Sequence, residues 1–129
     1  MTFPAMPPAV LRFFRESQSG DAAAWAAAFA EDGVFHDPVG QPPFEGRPAI
    51  EEFIRSILPN FDPFLGLTPL TAHTVGRHTA VSWRGAAVAK DGSPVNWSGI
   101  NIYELDDDGL IRELKAYFNP AVFQAQLAG

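Results

Sequence analysis

A chain of 129 residues has the size of one domain built on one core. With 47% apolar residues, among them 11 Phe and 3 Trp, it can fill that core and still line a pocket with rings, so disorder is not the default state. Nine Lys and Arg against fifteen Asp and Glu give a net charge of -6, which opposes nucleic acid and anionic lipid, and the absence of cysteine excludes disulfides and thiolate chemistry.

The opening MTFPAMPPAVLRFF has no charged segment leading into a long apolar one, and proline interrupts it, so a cytoplasmic location is expected. The longest apolar run, Ala22 to Ala30, is far too short to span a bilayer. Pro8 can open a first helix in which Val10, Leu11, Phe13, Phe14 and Ser17 recur with helical spacing up to Gly20. Asp21 is a good N-cap for an alanine-rich second helix carrying Trp25 and Phe29 at i and i+4 and ending before Gly33. Val34 to Asp37 reads as a short strand, followed by a loop, VGQPPFEG, too rich in breakers to be regular. Pro48 then opens the clearest amphipathic helix, with Ile50, Phe53, Ile54, Ile57 and Leu58 on one stripe and Pro59 stopping it.

After a loop PNFDPFLG come four strand-like runs, LTPLTAHTV, HTAVSWRGAAVAK, SPVNWSGINIYEL and LIRELKAYF, separated by turn signals. Three helices preceding a four-stranded antiparallel meander define an α+β domain, residues 1–129, in which a curved sheet packs its inner face on the helices. Such a sheet folded around a long helix leaves a conical space, and a cone lined by Phe and Trp is a small-molecule pocket.

The stretch FHDPVG carries the chemistry. By itself Asp37 is either a turn former, with Pro38 fixing the next φ, or a carboxylate aimed into an apolar cavity, where desolvation raises its pKa and makes it a useful base. Asn101 is either a hydrogen-bond donor in the pocket or a group satisfying a neighbouring backbone. Alternation places Trp97, Gly99, Asn101 and Tyr103 on one face of their strand, turns His36 away from Asp37, and puts Arg84 on the outer face with Ala80, Ala86 and Val88. His73 and His78 have no partners at metal-ligand spacing, so no metal is expected.

The order of elements and the words RFFRESQSGD, FAEDGVFHDPVG, FEGRPAIEEF and GINIYELDDDGLIRELKAYFNP resemble the nuclear transport factor 2-like superfamily, in its SnoaL-like and ketosteroid isomerase-like branch. The resemblance implies a cone-shaped, cystatin-like α+β fold without a cofactor and, in many members, a homodimer through the outer sheet face. It implies catalytic roles for Asp37 as base and Asn101 as oxyanion donor, where the isomerases carry an aspartic acid. In those isomerases the acid shares the oxyanion hole with a tyrosine; here Phe13 stands at the tyrosine's place, and Ile54 where a further tyrosine can stand. Phe13, Ile54, Trp83, Trp97, Tyr103 and Phe118 are the expected substrate-binding wall. The expected function is proton transfer on an apolar carbonyl or polycyclic compound, of the steroid Δ-isomerase or polyketide cyclase kind. The alternatives are a water-activating hydrolase or lyase on the same parts and a non-catalytic ligand-binding or dimerisation module.

Overall fold

The computed structural model describes residues 2–128, so the ends of the expected domain, residues 1 and 129, lie outside the described residues. Four helices, α1 (Pro8–Ser17), α2 (Ala22–Ala26), α3 (Arg47–Ile57) and α4 (Pro120–Ala128), pack with one six-stranded sheet. Its strands are β1 (Phe29–His36), β2 (Phe44–Glu45), β3 (Phe61–Val75), β4 (His78–Ala89), β5 (Pro94–Leu105) and β6 (Ile111–Tyr117), in the order β2-β1-β6-β5-β4-β3. The sheet is curved and does not close, giving the α+β cone. β3 to β6 form the antiparallel meander read from the sequence, but β1 joins it parallel to β6, so the whole sheet is mixed.

Helix α1 docks through Ser17, whose hydroxyl donates to the Phe14 carbonyl (2.6 Å) and accepts from the Leu67 amide of β3 (3.0 Å). The contact needs a residue without a side chain: a Cβ on Gly66, at φ +98°, would stand 2.5 Å from the Ser17 carbonyl oxygen. From this anchor α1 sends Val10, Phe13 and Phe14 into the core, and α3 adds Ile50 and Ile54. Phe13 is the hub, edge-on to Phe14, Trp25, Phe29, Phe35 and Tyr103 at centroid distances of 5.3–6.1 Å.

Four elements differ from the sequence reading: the loop VGQPPFEG, expected to be irregular, holds the two-residue strand β2, and the other three follow. The alanine-rich helix stops at Ala26, because Phe29 is needed in the sheet: the Ala28 carbonyl accepts from the Ile111 amide (3.0 Å), and the Phe29 carbonyl accepts Nε and Nη2 of Arg47 (3.0 and 2.7 Å). Asp21 caps it as expected, accepting from the Ala24 amide at 3.0 Å. Gly33 is no helix terminus; it lies in an irregular stretch of β1, where a Cβ would come within 2.9 Å of the Ile111 carbonyl oxygen. Second, β3 begins at Phe61 instead of Leu67, running through Pro63 and Gly66 by repeated register shifts against β4. Third, α4 follows the meander. Asn119 starts it by accepting the Ala121 amide on Oδ1 (2.9 Å), and Pro120 occupies the first turn.

Helix α4 is fastened to the open side of β5. β6 pairs with β5 only as far as Ile100, so residues 94–99 have no strand beyond them on that side. There the Gln126 carboxamide accepts the Asn96 amide on Oε1 (2.8 Å) and donates from Nε2 to the Asn96 carbonyl (2.7 Å), replacing one rung of a missing strand.

Candidate active site

Between the helices and the sheet lies a cavity of about 430 Å³, within the range of small-molecule sites. Its walls are mostly apolar and rich in aromatic rings, and among its polar lining residues Gln41, Asn60 and Gln124 are solvent-exposed whereas Asp37 and Asn101 are sheltered. Topology brings that second pair together. His36 at the end of β1 sits beside Lys115 of β6, and the Val39 amide donates to the Ala116 carbonyl (2.9 Å), so the Asp37 turn is tied to Ala116; on the far side of Ala116 its partner across the ladder is Asn101. Ala116 itself lines the cavity, and its small side chain leaves the space between them open.

Asp37 accepts no hydrogen bond and forms no ion pair with any described residue, yet its oxygens are not sealed from contact; the carboxyl therefore faces the cavity. Burial pushes its pKa up to about 7, with no cation to oppose the shift. His36 turns the other way, its Nε2 2.9 Å from the Glu113 carboxylate. His73 and His78 are exposed on β3 and β4 and do not line the cavity.

Asn101 is 1% exposed and held at both ends. Its Oδ1 accepts the Trp83 indole N–H (2.8 Å), and its Nδ2 donates to the Tyr103 hydroxyl (2.9 Å). Burial pushes the Tyr103 phenol well above its usual range, with the Asn101 hydrogen bond acting in the opposite direction.

Phe13, Ile54, Trp83, Trp97 and Phe118 line the cavity along with Asp37 and Asn101. Tyr103 does not: it is fully buried behind Asn101, packed on Phe13 and Phe14, and its hydroxyl reaches the site only through the amide. The sequence reading also missed wall residues. Phe64 lies in the segment taken for a loop, and Phe123 on α4 packs on Trp97 at 4.8 Å. The signal for Phe123 was present in Asn119-Pro120, an N-cap followed by a first-turn proline.

Of the three tryptophans lining the cavity, the two on the sheet each lie over a glycine of the neighbouring strand: Trp83 stands opposite Gly99, and Trp97 opposite Gly85. A Cβ on Gly99 would come within 2.7 Å of the Trp83 ring, and one on Gly85 within 2.5 Å of the Trp97 ring.

A model of the SnoaL-like domain matches residues 10–114, a span that includes both Asp37 and Asn101. The chain belongs to the SnoaL-like family. This SnoaL-like protein is 33% identical to a steroid Δ-isomerase of Nocardioides simplex over 112 residues, which cover 87% of this chain and 88% of the relative. Its fold is similar to that of a hypothetical protein with a ketosteroid isomerase-like fold from Catenulispora acidiphila DSM 44928, solved with trimethylamine, with a TM-score of 0.85 at 17% identity over 96% of this chain and 95% of that one. It is also similar to SalBIII, an epoxide hydrolase/cyclase-like enzyme of pyran ring formation in salinomycin, with a TM-score of 0.76 at 22% identity over 88% and 89% of the two chains. Among the described residues no helix of this SnoaL-like protein is long and apolar enough to cross a membrane.

Proposed function

We propose that the protein is a single-domain, cofactor-independent proton-transfer enzyme acting on an enolisable apolar carbonyl compound, with Asp37 as base and Asn101 as oxyanion donor. The observation that carries this reading is the Asp37 carboxyl, unpaired in an aromatic cavity and raised to about 7, where a base is half ionised at neutral pH. In the proposed step the carboxylate takes a proton from the carbon α to the carbonyl, the electron pair moves onto oxygen, and an Asn101 N–H donates to the enolate. Return of the proton to another carbon completes an isomerisation. The relationship to a steroid Δ-isomerase supports this chemistry. Water activation by Asp37 is the second reading, favoured by the likeness to a hydrolase/cyclase-like enzyme.

Because only the ionised carboxylate can accept the proton, kcat/KM for α-deuterium exchange into a ketone such as 2-tetralone should rise with pH and level off above a midpoint near 7. A profile flat from pH 5 to 9 would remove Asp37 from the role.

We further propose a cytoplasmic homodimer formed through the outer sheet face. Leu70, Ile100 and Tyr117 are about half exposed there, with Ile100 and Tyr117 directly opposed across β5 and β6, and Ala80, Ala86 and Val88 flank them on β4. Sedimentation at micromolar concentration should give twice the chain mass; a monomer would refute the dimer without touching the enzymatic reading.

A further inference from the structure

An indole N–H has no lone pair and can only donate, so whatever faces Trp83 Nε1 must accept. What faces it is Oδ1 of Asn101, 2.8 Å away and fully buried. Turned the other way, the amide would set two N–H groups against each other in a dry environment, at the cost of a buried donor left unpaired. Tyr103 does not make this choice, because its hydroxyl can accept from Nδ2, as it does at 2.9 Å, or donate to Oδ1 in the flipped amide. Trp83 alone gives the amide a direction. It reaches Asn101 diagonally, crossing Gly99, which stands directly opposite it on β5 and whose missing side chain makes room for the indole.

We infer that Trp83 is the positioning residue that points the Asn101 amide, keeping Oδ1 engaged with the wall and leaving an Nδ2 hydrogen as the group offered to the cavity. The site then selects ligands that bring an acceptor oxygen to Asn101 over otherwise equal ligands that bring none. The inference rests on the carbonyl reading of the pocket and narrows it, since it concerns ligand choice and not proton abstraction by Asp37.

The test is calorimetric binding of 2-tetralone and of its hydrocarbon counterpart tetralin to the wild type, Trp83→Phe and Asn101→Leu. The wild type should prefer the ketone. Because Trp83 is itself part of the wall, Trp83→Phe is read as the ratio of the two affinities: the preference for ketone over tetralin should fall about tenfold, towards the value for Asn101→Leu, whatever the change in tetralin affinity. A retained preference in Trp83→Phe, a parallel loss of both ligands, or no preference in the wild type would overturn the inference. If Trp83→Phe does not fold, proton NMR of the unmutated protein decides. One Asn101 Nδ2 proton should lie further downfield with 2-tetralone than with tetralin, while the Trp83 Nε1 proton takes the same position with either ligand; a Trp83 proton that distinguishes ketone from hydrocarbon, or Asn101 protons that do not, refutes it. No turnover is needed for either readout, so a catalytically silent protein with the expected ketone selectivity would sink the enzymatic reading and leave this one standing.

Discussion

Asp37→Asn should abolish proton transfer and, above neutral pH, make the protein more stable. Asn keeps the shape of the carboxylate and removes its basic lone pair, so α-deuterium exchange into 2-tetralone should fall by about 10²–10⁴. The stability gain follows from linkage. The folded carboxyl titrates near 7 and the unfolded one near 3.8, so between those values the folded state binds the extra proton. Stability therefore falls as pH rises through this window, and above it the wild type carries the full cost of an ionised group in an apolar cavity, on the order of 4 kcal/mol. The variant avoids that cost. Its advantage should be absent below pH 3.8, grow up to pH 7 and hold beyond, and thermal unfolding at pH 4 and pH 8 would measure it. A variant less stable than the wild type at pH 8 would mean that the carboxylate is paired in solution.

Phe13→Tyr should accelerate the same exchange by about 10²-fold, the scale of one oxyanion donor. Phe13 is fully buried at the centre of five rings yet also borders the cavity, so the added hydroxyl has an open space to enter. The ketosteroid isomerases, which this chain resembles, place a donor at that position. The gain should appear in kcat with little change in KM, and should vanish when Asp37→Asn is added. An inert Phe13→Tyr with a silent Asp37→Asn would favour a non-catalytic binding module. An inert Phe13→Tyr with an essential Asp37 would place the substrate oxygen elsewhere and favour activation of water.

Where local pattern and tertiary demand agree, the fold was legible in the sequence. The Ile50, Phe53, Ile54, Ile57 stripe became α3, and the four alternating runs became the meander. It failed where long-range pairing overrode propensity: alanine favours helix, but Phe29 is bound by Ile111 pairing and by Arg47, neither of which lies nearby in sequence. At the site, alternation correctly put Asn101 and Tyr103 on the inner face of β5. It could not say that Tyr103 stands behind the amide, which depends on how the two side chains turn within one strand, nor that Trp83 reaches Asn101, which depends on an indole passing between strands over a glycine.

Helix α4 joins two quantities that are usually separate, access to the pocket and resistance to aggregation. Its nine residues supply Phe123, Gln124 and Leu127 to the cavity, and its Gln126 covers the Asn96 backbone where β5 outruns β6. Any excursion of the helix wide enough to admit a bulky ligand by that side also uncovers an apolar strand end flanked by Val95 and Trp97, a template for edge-to-edge pairing. A bound ligand that holds α4 down would thus protect the protein from self-association as well as from unfolding.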